Sequence, residues 1–196
     1  MPTSNTTLFR KQTFDYAKRV GRPFDVARGG ALIQPGASSS PLFIILEGAA
    51  HAYIDKDASR QTLRLGYPGE LLSALPALFL GVPTPIGIEA IRRCRGFSIL
   101  RSQLLDLIHS APEHQRAYIE MLEGFACGLM ERELDLLEPS PQQRYETVLR
   151  RSPQVFQEVP LRYIASYLRM SPETLSRVRR ASRGSMLPGG GAVAKP

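Results

Sequence analysis

Cysteine is scarce in this sequence and tryptophan is absent. The two cysteines, Cys94 and Cys127, lie too far apart to resemble the closely spaced ligands of a zinc or iron–sulfur site. The histidines do not form a metal-binding set either. His51 stands alone, and His109 and His114 lack the i, i+4 spacing that places two ligands on one helix face. We therefore expect no metal, no cofactor and no catalytic residue.

Long hydrophobic runs are also missing. No apolar stretch approaches the length of a membrane-spanning helix, and the first residues, MPTSNTTLFRK, do not read as a signal peptide. The 196 residues suffice for one large domain, or for a medium one and a small one. A cytoplasmic protein is the expectation.

Acidic residues are almost absent from the end of the chain. Residues 160–196 hold seven basic residues and a single acid, Glu173, for a net charge of +6. The other 159 residues contribute only +1 to the total of +7. A solvated surface normally mixes its signs, whereas contact with DNA phosphates requires such a concentration of positive charge.

Two short helices joined by a tight turn are predicted within residues 159–181, VPLRYIASYLRMSPETLSRVRRA. Ser171 suits the N-cap of the second helix, with Pro172 at its first position. Such helix pairs occur in many folds, but the local charge favours a helix-turn-helix that binds the DNA major groove. The expected buried residues are Ile164, Ala165, Leu168, Leu175 and Val178.

The first half of the chain has a different pattern of apolar and turn residues. A short helix is predicted over residues 8–20, followed by short apolar segments separated by turn residues. This spacing predicts an antiparallel barrel or jelly roll, with Gly36 and Gly48 at corners that need a positive φ. The clearest predicted strands are residues 42–46, 50–54, 61–65, 86–90 and 96–100.

A long helix is predicted over residues 113–138, after a shorter one over 102–108. Its apolar residues keep a three-four spacing with Arg132 in the one gap, which is typical of a two-stranded coiled coil. The alternative is a helix packed on its own barrel. The predicted dimer seam consists of Tyr118, Leu122, Phe125, Leu129 and Leu136.

These elements give an α+β fold with an N-terminal antiparallel β jelly-roll barrel, a long dimerisation helix and a C-terminal helix-turn-helix domain. A further helix is predicted over residues 142–151, and the Gly-rich end is low in complexity. The predicted divisions are a barrel over 1–112, a dimerisation helix over 113–138, a helix-turn-helix domain over 139–183 and a disordered tail over 184–196.

This order of elements resembles the Crp/Fnr family of bacterial transcription regulators. The stretches that carry the resemblance are PLFIILEGAAHAY (41–53), PGELL (68–72), SPQQRYETVL (140–149) and VPLRYIASYLRMSPETLSR (159–177). The resemblance implies a homodimer with a cyclic nucleotide-binding-like sensor barrel that binds a palindromic promoter site in double-stranded DNA. RNA polymerase is a further implied partner.

The resemblance also assigns DNA-reading residues. Glu173 would accept a hydrogen bond from a cytosine amino group, Arg177 would donate to guanine, and Ser176 would contact a neighbouring base. Pro172 stands where cyclic-AMP-responsive members often carry an arginine, which favours a TTGAT-like half-site. The residues assigned to DNA phosphates are Arg162, Thr174, Arg179 and Arg180.

The sequence departs from the family pattern at two places. Arg169 replaces the glycine usual in the turn, and a left-handed conformation there costs about 1 kcal/mol. The hairpin wing expected after the second helix is missing or truncated, because the chain reaches its Gly-rich end within a few residues of Arg183.

The sensor barrel carries only part of the family's nucleotide site. Gly69 and Glu70 match the start of the phosphate loop, where the glutamate would bind a ribose hydroxyl, but no arginine follows in residues 66–90. A buried phosphate without a cation is strongly disfavoured, so a response to cyclic AMP is not expected. The weak sensor pocket comprises Gly69, Glu70, Leu71, Leu72 and Thr84.

Two other classes of protein compete with a transcription regulator. A jelly-roll metal-dependent enzyme would need a cluster of ligands that the sequence lacks. A protein-interaction module that has lost DNA binding would explain Arg169 and the missing wing. The effector of a regulator, if it has one, is not identified by these residues.

Overall fold

A computed structural model describes residues 4–57 and 59–185 of the chain. Helix α1 (Ser4–Val20) opens the structure and covers the predicted helix over 8–20, with four more residues at its start. No helix within the described residues is long and apolar enough to cross a membrane.

Two four-stranded antiparallel sheets form the barrel-like core, in the orders β1-β8-β3-β6 and β2-β7-β4-β5. The predicted antiparallel barrel is confirmed, and the predicted strands agree with the observed ones to within about two residues at each end. The strands are β1 (Arg22–Val26), β2 (Ala31–Ile33), β3 (Leu42–Glu47), β4 (Ala50–Lys56), β5 (Ser59–Gly66), β6 (Leu71–Leu72), β7 (Gly87–Ala90) and β8 (Cys94–Ile99).

Alternation along the strands decides what lies between the sheets. Ala50 and Ala52 of β4 pack inward against Ile45, Leu72 and other buried apolar residues. The opposite face of the first sheet packs against α1 and the helices after the barrel, in a second cluster of apolar residues. Both faces of that sheet are therefore covered.

Gly48 makes the corner between β3 and β4. Its φ is +79°, and a Cβ placed there would lie 1.8 Å from the carbonyl oxygen of Arg93. Gly36 has a φ of +90°. Both predicted glycine corners are thus confirmed, and at Gly48 close backbone approach adds a second requirement for glycine.

Six helices follow the barrel in the part of the chain that the structure describes. The predicted helices over 102–108, 113–138 and 142–151 are confirmed with small shifts of their ends, whereas the short α5 was not predicted. The helices are α2 (Arg101–His109), α3 (Pro112–Leu137), α4 (Pro141–Arg151), α5 (Val155–Glu158), α6 (Leu161–Tyr167) and α7 (Pro172–Ser185). Gly184 and Ser185, assigned to the tail by sequence, belong to α7, and residues 186–196 of that predicted tail lie outside the described residues.

Helices α4 to α7 pack around a shared apolar cluster. All five predicted apolar residues of α6, α7 and the turn are buried in it, together with Tyr145 and Val148 of α4. The cluster also contains Ala49 and Ile91 of the barrel. The C-terminal helices therefore pack directly on the barrel.

Candidate nucleic-acid interface and sensor pocket

The turn between α6 and α7 has a defined hydrogen-bond pattern. The N–H of Arg169 donates to the carbonyl of Ser166 (3.2 Å), and the N–H of Met170 donates to the carbonyl of Ala165 (3.0 Å). These two bonds close the helix end as a Schellman motif, in which the residue at Arg169 takes the left-handed conformation. Its φ is +53°, so the strained arginine expected from the sequence is present.

Ser171 caps the start of α7, as predicted. Its Oγ accepts a hydrogen bond from the N–H of Thr174 at 3.1 Å, and Pro172 is the first helical residue. The cap also acts on Glu173: the pKa of its carboxyl is lowered by a hydrogen bond from its own backbone, and further by Ser171 and Arg177. Glu173 is consequently a charged hydrogen-bond acceptor at neutral pH.

The three residues assigned to base reading share one solvent-facing side of α7. Glu173, Ser176 and Arg177 are all exposed, whereas Leu175 and Val178 on the other side are buried. Arg177 donates to the hydroxyl of half-buried Thr174 at 3.3 Å. A hydrogen-bond acceptor, Glu173, and a potentially bidentate donor, Arg177, are thus exposed one helical turn apart.

The residues assigned to phosphate do not form one group. Arg180 is exposed and Arg179 half-buried on α7. Arg162 lies on α6, where its guanidinium stacks on the Tyr163 ring at 4.7 Å and donates to the Tyr163 hydroxyl at 2.8 Å. This part of α6 borders the barrel, so Arg162 belongs to a different surface environment from the other two arginines.

Helix α6 docks on strand β5 of the barrel, a contact that the sequence analysis did not anticipate. The backbone N–H of Thr62 donates to Ser166 Oγ at 2.9 Å, and Arg169 Nη1 donates to Gln61 Oε1 at 2.6 Å. The pairing of β4 with β5 shifts register just after Thr62, between the pairs Tyr53–Thr62 and Ala52–Arg64. We call this set of bonds the α6–β5 contact.

The residues of the predicted sensor pocket lie in distinct environments. Gly69 has a φ of +89°, Leu71 is half-buried, and Leu72 is buried between the sheets. Thr84 is buried, and its hydroxyl accepts from the N–H of Ile86 at 3.2 Å. Leu72 therefore packs in the core, and Thr84 makes a local hydrogen bond.

Glu70 already has a cationic partner. Arg10 of α1 donates to its carboxylate at 2.7 Å, across 60 residues of sequence. The sequence analysis missed Arg10, and no local motif could have revealed it because α1 meets the loop only in the folded chain. The sensor carboxylate is thereby joined to the N-terminal helix.

The predicted seam residues of α3 fall into two sets. Tyr118 packs on Phe9 of α1 with ring centroids 5.2 Å apart, and Phe125 lies under the guanidinium of Arg64 at 5.5 Å. Leu122 and Leu129 are exposed, and Leu136 is half-buried.

Arg132, placed in the seam gap by sequence, is turned into the protein. It is buried, its guanidinium lies 3.6 Å from the Tyr167 ring, and it donates to the Tyr167 carbonyl at 2.6 Å. The apolar face that α3 leaves uncovered shares Leu122 and Leu129 with the predicted stripe and contains four further residues. Its members are Ile119, Leu122, Leu129, Met130, Leu134 and Leu137.

The barrel and its attached helices define an antiparallel β-barrel protein with a helical C-terminal unit. Residues 23–111 match the cyclic nucleotide-binding domain family. No curated protein matches the chain.

Solved structures extend the likeness to most of the chain. FixK2 from Bradyrhizobium japonicum is 20% identical, with 88% of this chain and 90% of that chain covered at a TM-score of 0.70. A CooA mutant from Carboxydothermus hydrogenoformans is 14% identical, with 84% and 77% covered at 0.65. A Crp/Fnr family transcriptional regulator from Eubacterium rectale is 14% identical, with 90% and 84% covered at 0.57. The chain thus matches the cyclic nucleotide-binding domain family over residues 23–111 and has the fold of Crp/Fnr regulators, which confirms the resemblance.

Proposed function

We propose that this protein is a homodimeric, DNA-binding transcription regulator of the Crp/Fnr type, with α6 and α7 as its helix-turn-helix. The observation that carries the proposal is the exposed side of α7. Glu173, Ser176 and Arg177 project from a capped helix whose other side is buried. The concentration of positive charge in residues 160–196 supports the same conclusion.

Each of these side chains has a chemical reason to read a base. The Glu173 carboxylate accepts from the N4 amino group of cytosine, and the Arg177 guanidinium donates in a fork to O6 and N7 of guanine. Ser176 contacts an adjacent base, and Thr174, Arg179 and Arg180 bind the flanking phosphates. A palindrome of TTGAT-like half-sites provides these partners to two copies of α7.

The uncovered face of α3 supports dimerisation. Its six large apolar side chains lie on one side of the helix and are exposed in the single chain. Two copies of the helix would bury this face against each other and place two α7 helices in a two-fold arrangement. The proposed seam keeps Leu122, Leu129 and Leu136 and gains residues on the solvent side.

Cyclic AMP is not the proposed effector. The loop after Glu70 contains no arginine to pair with a cyclic phosphate, and Glu70 itself is engaged by Arg10. Inside the barrel, a Cβ added at Gly66 would lie 2.6 Å from Ile45 Cδ1, which indicates close packing there. These three features oppose entry of a charged nucleotide.

A fluorescence anisotropy titration tests the proposal. We expect wild-type protein to bind a labelled TTGAT-type palindrome more tightly than a scrambled duplex, with affinity falling as salt rises from 50 to about 200 mM because counterions are released. If the two duplexes bind equally, selection from a random-sequence pool decides between another site and none. If no sequence is selected, a protein-interaction module that has lost DNA binding becomes the favoured alternative. A metal-dependent activity would instead favour a jelly-roll enzyme.

A further inference from the structure

A cavity of about 310 Å³ lies between the barrel and α6, away from the sensor loop at Gly69. Its size is at the lower end of the range for small-molecule sites. Both sides contribute polar groups, and neither the base-reading proposal nor the sensor loop uses them. The groups used below are His51, Arg60 and Glu89 of the barrel and Arg162 and Tyr163 of α6.

His51 presents a buried nitrogen without a partner. The side chain is 2% exposed, its Nδ1 lies 3.1 Å from Thr62 Oγ1, and its Nε2 has no hydrogen-bond partner within the described residues. Thr62 is fully buried, and its hydroxyl proton is satisfied when Thr62 donates to Nδ1. The Nε2 atom then carries the imidazole proton; the Glu89 carboxylate is 4.0 Å away, too far for a hydrogen bond, so this donor is available at the cavity.

A second donor comes from Tyr163. Its hydroxyl oxygen accepts from Arg162, so its own proton is available. The Tyr163 ring also holds His51 in an edge contact at 4.8 Å, and the Tyr53 ring stacks on His51 at 5.1 Å. The donors are therefore held in fixed positions by aromatic packing.

One of the two guanidiniums at the cavity has no carboxylate partner. Arg60 is ion-paired to both Glu89 and Asp55, whereas Arg162, which is exposed, has no carboxylate partner among the described residues. The pKa of His51 is lowered to about 4, first by burial and then by Arg60 and Arg162, so His51 is neutral at pH 7. An uncompensated guanidinium and two neutral donors thus face one space.

We propose that this cavity is a binding site for a small oxyanion, either free phosphate or the phosphate group of a small metabolite. Arg162 supplies the charge, while His51 Nε2 and the Tyr163 hydroxyl donate hydrogen bonds. Because the ligand touches the barrel and α6 together, its binding stabilises the docked position of α6. The site is independent of base reading by α7.

The probe is inorganic phosphate, titrated at constant ionic strength and pH 7 into full-length protein without DNA. The readout is the ring nitrogen and proton resonances of the three histidines by NMR. We expect a saturable shift of the His51 Nε2 resonance, with His109 and His114 unmoved. Inorganic phosphate and a phosphorylated sugar are compared, because a metabolite site would bind the second more tightly.

Three variants assign the site. Arg162→Gln is expected to weaken phosphate binding by about tenfold or more, since it removes a charge-assisted hydrogen bond. Arg162→Lys retains the charge and is expected to recover part of the affinity. Arg180→Gln removes the same charge from an exposed position of α7 and is expected to leave phosphate binding unchanged.

Two results would overturn the proposal. One is a His51 resonance that does not move with phosphate, or that moves equally in Arg162→Gln. The other is a shift produced by duplex DNA and not by phosphate, which would make Arg162 a contact to the DNA backbone. Loss of DNA binding alone would contradict the proposed function and would leave the phosphate result standing.

Discussion

Arg169 combines backbone strain with a contact across the molecule. Its left-handed φ of +53° suits glycine, yet its side chain donates to Gln61 of β5. A glycine would relieve the strain but could not reach the barrel. The residue therefore links the turn between α6 and α7 to the α6–β5 contact.

Two substitutions separate these effects. Arg169→Gly and Arg169→Ala both delete the bond to Gln61, but only alanine keeps the Cβ that opposes a positive φ. We expect the glycine variant to be more stable than the alanine variant by about 1 kcal/mol in urea unfolding. Equal stabilities would mean that the turn relaxes out of the left-handed conformation.

A second prediction for single residues concerns the side chains proposed to read bases. Glu173→Ala and Arg177→Ala should each cost about 1–3 kcal/mol in DNA binding and relax discrimination at one base pair. Both residues are exposed, so stability should barely change.

Arg180→Ala is the matched control for these variants. It should weaken binding to all duplexes alike and reduce the salt dependence by about one counterion, as expected of a phosphate contact. If Glu173→Ala or Arg177→Ala also weakened every duplex equally, its assigned role in base reading would be wrong.

Helix α3 uses its two sides differently. On one side, Tyr118, Phe125 and Arg132 contact other elements of the same chain. The other side exposes large apolar residues. An exposed apolar stripe of this length is characteristic of a surface that associates.

Leu134→Glu tests the proposed seam. Leu134 is 64% exposed in the single chain, so the change should leave the fold intact while placing a charge in the dimer interface. We expect analytical ultracentrifugation to show a dimer dissociation constant raised at least about tenfold.

Leu100→Glu makes the same chemical change at a position that is 60% exposed and lies before α2. It should leave the dimer unaffected. If the wild-type protein is monomeric at micromolar concentration, the proposed dimer seam on α3 is wrong.

The α6–β5 contact yields a prediction for hydrogen exchange. Ser166→Ala removes the acceptor of the Thr62 N–H, and the net loss of such a bond is about 1 kcal/mol. We expect the Thr62 amide to exchange about five- to tenfold faster, with barrel amides distant from α6 unchanged. Unchanged exchange at Thr62 would show that another acceptor replaces Ser166.

At the scale of the whole molecule, the N-terminal helix α1 is linked to the loop at Glu70 by an ion pair. Arg10 brings a cation to Glu70, and the loop itself brings none to a phosphate. A ligand at 100 times its dissociation constant would raise stability by about 2.7 kcal/mol. We expect millimolar cyclic AMP to leave both the thermal midpoint and the affinity for DNA unchanged, and a saturable rise in the midpoint would contradict this prediction.

Local patterns predicted much of this molecule. The Ser171 cap, the glycine corners and the buried residues of α6 and α7 follow from short-range rules on capping, backbone conformation and helical spacing. The strands were predicted for the same reason, since alternation and turn residues lie within a few positions of each other.

The partners of individual side chains were not predictable in this way. The pair Arg10–Glu70 spans 60 residues and the bond from Thr62 to Ser166 spans 104. The neighbours of the apolar residues on α3 were not predicted, because helical spacing identifies an apolar stripe but not what covers it. Arg132 shows the difference, because a charged residue in the stripe is buried against Tyr167.

The sequence by itself determined the order of elements, the concentration of positive charge at the C-terminal end and the side chains that α7 exposes. These properties depend on periodicity and composition, which are local. Only the tertiary structure decided that α6 rests on β5, that Arg10 holds Glu70, and that His51 and Arg162 face one cavity. Each of those contacts depends on how distant segments pack, and packing depends on the shape of the whole core rather than on any single stretch of residues.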